Sequence, residues 1–123
     1  MTARVIYFGS DDCHRIMVLR SAGYTVEECS SLVQLRASLA TGEPADAVMT
    51  SDNGGVSPHE AAAAVREHFF LPVILFRNTN MAYEDSKFDL VVQCLTPPEV
   101  WLSDVDALIE RSRAGLRHAV SPA

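Results

Sequence analysis

The sequence predicts a doubly wound α/β fold, a five-stranded parallel sheet covered by helices on both faces in three layers. Three observations carry that prediction. Short β-branched or aromatic runs, such as Arg4-Val5-Ile6-Tyr7-Phe8 and Val73-Ile74-Leu75-Phe76, read as strands buried on both faces. Segments of helical period with capping signals separate them, so strands and helices alternate from the first element to the last. At the carboxyl ends of the runs the chain turns polar or breaks at glycine, which is where open α/β sheets gather ligands and chemistry.

The first strand, Arg4 to Phe8, stops at Gly9-Ser10. Ser10, Asp11 or Asp12 then suits the cap of a first helix of about three turns, because a side-chain oxygen satisfies its orphan N–H groups and a carboxylate faces the positive dipole end. Ile16, Leu19 and Arg20 follow on a helical period, and Gly23 offers a left-handed stop. Tyr24-Thr25-Val26-Glu27-Glu28-Cys29 alternates apolar with polar, the mark of an edge strand with one wetter face. Ser31-Leu32-Val33-Gln34 fits a capping box, and Leu32, Leu35 and Leu39 supply the stripe of the second helix, which ends by Gly42 and Pro44.

The third strand, Ala45-Asp46-Ala47-Val48-Met49-Thr50-Ser51-Asp52, passes from apolar to polar and breaks at Asn53-Gly54-Gly55. It leaves Ser51 and Asp52 at the working end of the sheet. Ser57-Pro58-His59-Glu60 joins an N-cap, a first-turn proline and a capping acid, so a third helix should run from Pro58 to about Phe70. The fourth strand ends in Arg77-Asn78-Thr79-Asn80, and the fifth is Phe88 to Val92. The gap between them is short for a parallel crossover, which predicts a truncated fourth helix. Thr96-Pro97-Pro98-Glu99 opens the last helix, whose buried face is Trp101, Leu102, Val105, Leu108 and Ile109. Residues 1–114 make the expected domain, and residues 115–123 a frayed tail.

Composition fits a single packed domain: 123 residues, 48% hydrophobic and 21% charged. A net charge of −6 with scattered cations argues against a duplex-binding surface. No apolar run reaches the length of a membrane span and no basic-then-apolar leader opens the sequence, so a soluble, cytoplasmic protein is expected. Cys13, Cys29 and Cys94 are an odd number without Cys-x-x-Cys spacing, which points to reduced thiols rather than a disulfide framework or a zinc site. His14, His59, His68 and His118 have no metal-ligand spacing. Phe8-Gly9-Ser10 lacks the Gly-x-Gly-x-x-Gly turn of dinucleotide folds.

Four phrases, in order and spacing, carry a resemblance: Ala22-Gly23-Tyr24-Thr25-Val26, Asp46-Ala47-Val48, Leu71-Pro72-Val73-Ile74-Leu75 and Pro97-Pro98-Glu99-Val100. Over residues 4–113 the chain resembles the CheY-like receiver domain of two-component response regulators. The resemblance implies a flavodoxin-like fold and a role in phosphorelay signalling. It also implies a site with an acidic pair for Mg²⁺ after the first strand, an acceptor Asp ending the third, a Thr or Ser after the fourth and a Lys after the fifth. Cation and lysine offset charge on the transferring phosphoryl group, and the hydroxyl responds to its arrival.

Those positions fall here at Gly9 and Ser10, Ser51, Arg77, and Cys94 or, shifted by one, Gln93, and none has the expected residue type. The chain therefore resembles a degenerate receiver, a pseudo-receiver. Its expected role is a phosphorylation-independent protein–protein interaction module, not an enzyme, that needs no cofactor and meets a signalling protein or a second copy of itself. With no output domain within this length, its effect is expected to pass through another chain. By analogy with the family, the contact surface is the edge of strands 4 and 5 with the last helix.

The alternative is an active receiver with Asp52 as displaced acceptor and Asp11 and Asp12 holding Mg²⁺, all three carboxylates converging on an oxygen-rich site. Against it stand simpler roles, Asp11 or Asp12 as helix cap and Asp52 as a turn residue. Arg77, at the mouth of the sheet, is either an exposed loop residue or a guanidinium paired with Asp52 or Asp11 in the cation's place. Cys94 is a buried thiol or, in a third reading, the centre of a redox or small-ligand sensor, which would need a depressed pKa or an open pocket.

Overall fold

The computed structural model describes residues 2–11, 13–41, 43–52, 57–78, 87–93 and 95–120. Its elements follow the predicted alternation: β1 (Ala3–Phe8), α1 (Arg15–Ser21), β2 (Tyr24–Cys29), α2 (Leu32–Ala40), β3 (Ala47–Ser51), α3 (Pro58–His68), β4 (Val73–Phe76), β5 (Leu90–Val92) and α4 (Pro98–Val120). The strands form one parallel sheet in the order β2-β1-β3-β4-β5. This is the flavodoxin-like arrangement, with the chain reversing its winding direction between β1 and β3.

Side-chain alternation along the strands divides the core between two helical layers. Tyr7, Met49, Ile74, Phe76 and Val92 face α1 and α4, where Ile16, Leu19, Trp101, Val105 and Ile109 cover them. Ile6, Phe8, Val48, Val73 and Leu75 face α2 and α3, against Leu35, Leu39, Ala61 and Val65. Each fully buried Leu, Ile, Val or Phe contributes about 1.5–3 kcal/mol from burial, so the two clusters set the strand register. The central strands β1, β3 and β4 are buried almost throughout, whereas β2 alternates buried and exposed as the edge pattern predicted.

The predicted caps of α2 and α3 form, whereas the Thr96 hydroxyl, expected to cap the last helix, donates to the Gln93 carbonyl at 2.8 Å. Ser31 Oγ accepts the Gln34 N–H, and Gln34 Oε1 returns to the Ser30 N–H at 2.7 Å, a capping box closed one residue early. Ser57 caps α3 through the Glu60 N–H, with Pro58 in the first turn. Gly23 takes φ 96°, the left-handed stop between α1 and β2.

Some boundaries differ. α1 has seven residues rather than three turns, because His14 stands at φ 55° and delays the helix to Arg15. α3 stops at His68, two residues before the expected end. α4 runs on to Val120, so residues 115–120 of the expected tail are helical, and residues 121–123 lie outside the described residues. Gly115 costs a helix only about 1 kcal/mol relative to Ala, and Pro122 lies beyond the last turn. The expected truncated fourth helix falls within residues 79–86, outside the described residues.

Candidate functional site

The carboxyl ends of β1, β3 and β4 meet at one mouth of the sheet. β1 ends at Phe8, and Gly9 turns the chain with φ 117° while its N–H donates to the Cys29 carbonyl at 3.1 Å. β3 ends at Ser51, paired in register with Phe76 at the end of β4. Arg77 follows, its backbone N–H bonded to the Val92 carbonyl at 2.9 Å, and thereby closes the β4–β5 ladder.

The candidate residues are placed as follows. Ser51 is fully buried, and its Oγ donates to the Ser10 carbonyl at 2.9 Å, tying two of the expected positions together. Asp11 is a helix cap: its Oδ1 accepts the Arg15 N–H at 2.7 Å and its Oδ2 accepts the Ile16 N–H at 3.1 Å. Both carboxylate oxygens are thus engaged at the positive end of α1. Asp52 is buried, and its Oδ1 accepts the Asn78 N–H at 2.7 Å, which fastens the exit of β3 to the exit of β4. Arg77 is half-buried beside them and Gln93 is exposed after β5. Asp12 and Cys94 lie outside the described residues.

Three further residues complete the mouth. Arg15 is 5% exposed, with its guanidinium carbon 4.5 Å from the centroid of the Phe76 ring. Among the described residues its side chain has no ion-pair partner within bonding distance. Phe76 in turn stacks on Tyr7 at 6.0 Å and meets Trp101 edge-on at 5.3 Å. The buried Tyr7 hydroxyl lies beside the Arg15 and Ser51 side chains, without a partner in hydrogen-bonding geometry among the described residues. Burial pushes its pKa up to about 12, with the Arg15 charge pulling the other way. Asn78 is the third, because Cys13 Sγ also reaches its Oδ1 at 3.7 Å. The loops after β1 and β3 both converge on this one residue.

Sequence reasoning missed all three. The signal for Arg15 was available: it occupies the same helical stripe as Ile16 and Leu19, where a residue is expected to be buried. Tyr7 offered a weaker signal, a hydroxyl in the middle of a strand with no polar face. Asn78 was read only as loop.

A resident Mg²⁺ would have Asp11 and Asp52 as its described carboxylate donors. Such a site needs several oxygen ligands around the ion. Here the Asp11 oxygens serve backbone N–H groups, Asp52 serves Asn78, and a buried guanidinium stands on the same aromatic ring that closes the mouth. Among the described residues no three His, Cys, Asp or Glu side chains group closely enough to hold a metal ion.

No family model matches the chain, and no curated protein matches it in sequence. Solved structures do match in fold. The N-terminal domain of a three-domain response regulator/sensory box/GGDEF protein from Carboxydothermus hydrogenoformans superposes with a TM-score of 0.75 at 15% identity, covering 92% of this chain and 98% of that one. A CheY-like receiver domain protein from Methanospirillum hungatei gives 0.72 at 13% identity, over 94% and 99% of the two chains. The receiver domain of a sensor histidine kinase from Pseudomonas aeruginosa, solved with magnesium in its active-site cleft, gives 0.68 at 15% identity, over 89% and 99%. A sheet of order β2-β1-β3-β4-β5 with its mouth where β1, β3 and β4 end, matched along nearly its full length, is the CheY-like receiver fold of response regulators.

Proposed function

We propose that the chain is a receiver-fold signalling module that acts through protein contacts without accepting a phosphoryl group. In this role it is a cytoplasmic, non-enzymatic component of two-component signalling that needs no Mg²⁺. The observation that carries the proposal is Asp11. The acid nearest the family's metal-binding pair spends both oxygens on the N-terminus of α1, so recruiting a cation there would uncap the helix. Ser51 supports the same reading, because a buried hydroxyl donating to a main-chain carbonyl is a poor replacement for an exposed acceptor carboxylate. Arg15 places a guanidinium on the Phe76 ring beside the mouth, where the family relies on a bound cation.

The competing role, phosphorylation at Asp52 with Asp11 and Asp12 on Mg²⁺, would require Asp11 to release the N–H groups of α1. Thermal unfolding with and without Mg²⁺ plus beryllofluoride, a mimic of the acyl phosphate, tests this on the parent and on Asp52→Ala. A ligand bound to the native state must raise its stability. The expected result is no shift in either protein. A rise in the parent that vanishes in Asp52→Ala would overturn the proposal and make Asp52 the acceptor.

A further inference from the structure

The segment from Phe88 to Glu110 holds β5, the following turn and the first half of α4, and its charge is one-sided. It contains Asp89, Glu99, Asp104, Asp106 and Glu110 with no Lys, Arg or His, while the rest of the chain is close to balanced. Two of these acids are occupied inside the domain: Asp89 pairs with Arg66, and Asp106 accepts from the Tyr24 hydroxyl. Glu99 and Asp104 are exposed, and among the described residues their side chains make no ion pair or hydrogen bond.

Two apolar side chains of the same segment are exposed. Leu95 is 94% exposed and Val100 47% exposed, and Val100 lies one helical turn before Asp104. Leu95 is also, among the described residues, one of two non-glycine residues with positive φ, at 70°. A leucine gains nothing from the left-handed region, where its Cβ crowds the following carbonyl, and gains nothing from facing water. Gly or Asn would close this turn at lower cost. An outlier that is both strained and exposed points from geometry towards function.

We propose that Leu95 and Val100, ringed by Glu99 and Asp104, form the docking surface for a basic amphipathic segment of a partner protein. The inference rests on the interaction-module function above and names its partner's chemistry. Apolar anchors would enter against Leu95 and Val100, and Lys or Arg side chains would meet the two free carboxylates. A second copy of this chain is a poor occupant. Two-fold pairing sets the same patch against itself, acid against acid, with no cation from the segment to relieve it.

The probes are a synthetic amphipathic Leu/Lys helical peptide and its Leu/Glu counterpart, titrated against isotope-labelled protein with and without Mg²⁺ plus beryllofluoride. The Leu/Lys peptide should shift amide signals centred on Leu95 and Val100 in the bare protein, and the Leu/Glu peptide should not. Leu95→Gly, or Glu99→Lys with Asp104→Lys, should weaken binding about tenfold or more. Glu28→Lys, on the opposite edge, should leave it unchanged. Leu95→Gly should also raise the melting temperature, so that lost binding is not lost folding. Shifts centred elsewhere, or binding indifferent to Leu95→Gly and to charge reversal, would overturn the docking surface. A dimer in sedimentation that Leu95→Gly dissociates would overturn it in favour of self-association. Binding at Leu95 only with beryllofluoride would keep the surface and overturn phosphorylation independence.

Discussion

At the scale of single residues, the mouth of the sheet turns on a charge held where a charge is expensive. Burying an ion without a counterion costs several kcal/mol even after relaxation, and stacking a desolvated guanidinium on an aromatic ring returns about 2 kcal/mol. Arg15 lies on Phe76, and its burial makes the charge and the packing of its side chain separable by substitution. Arg15→Met keeps most of the volume and removes the charge, so it should unfold at the same or a higher urea concentration than the parent. Arg15→Ala should lose about 2 kcal/mol through the cavity left against Phe76. A loss of that size in the Met variant would instead mean that the guanidinium is paired in solution. The contrast separates a cation retained for the site from one that holds the structure together. Asp11 shows the opposite economy, since its carboxylate is fully engaged by the two N–H groups it caps.

Among the elements, α4 ties the domain together from the end of the sheet opposite the mouth. Asp46, just before β3, accepts the Arg4 N–H with Oδ2 and the Arg113 Nε–H with Oδ1, both at 2.9 Å. Arg113 also donates to the Thr2 carbonyl at 2.9 Å, and the Tyr24 hydroxyl donates to Asp106. One helix is thereby stitched to the starts of β1, β2 and β3. Charged hydrogen bonds of this kind contribute about 1.5–3 kcal/mol each, less where water reaches them. Arg113→Ala should cost roughly 2 kcal/mol in urea unfolding and should raise hydrogen exchange first at the start of β1. Unchanged exchange there would show that the hydrophobic face of α4 holds the helix without the stitch. Alternation, caps and faces were legible because they repeat locally: Ser31, Ser57 and Gly23 announce themselves within a few residues. The stitch was not, because Asp46 and Arg113 are 67 positions apart and each looks like an ordinary surface charge.

For the whole molecule the same distinction decides what the sequence disclosed. The layout of the sheet follows from strand spacing and the right-handed crossover rule, so the fold was readable before any coordinates. The departure from the receiver's residue pattern was readable too, because Ser51 and Arg77 stand where the family has an Asp and a hydroxyl. The cluster at the mouth was not, since Arg15 on α1, Tyr7 on β1, Phe76 on β4 and Asn78 in the segment after β4 meet only through the fold. Their burial leaves a measurable trace in the pH dependence of stability. Tyr7 is held neutral by its surroundings, with a native pKa of about 12 against 10.0 for the free side chain, and burial raises Tyr24 in the same direction. For groups raised in the native state, stability is intact below pH 10 and falls as pH rises, because the unfolded chain loses its phenolic protons first. Tyr7 alone should account for a loss of roughly 2–3 kcal/mol between pH 10 and 12. Asp46 works at the other end: burial alone would raise its pKa, but the Arg113 and Arg4 hydrogen bonds bring it below the usual range. Its contribution is present above pH 3.8 and lost as pH falls through its lowered native value. Urea midpoints measured from pH 3 to 12 should therefore give a plateau with two descending limbs. Tyr7→Phe should shallow the alkaline limb and leave the acid limb alone, and Asp46→Asn should do the reverse. If Tyr7→Phe left the alkaline limb unchanged, the hydroxyl would have to be solvated in the native protein, and the closed aromatic cluster around Arg15 would be wrong.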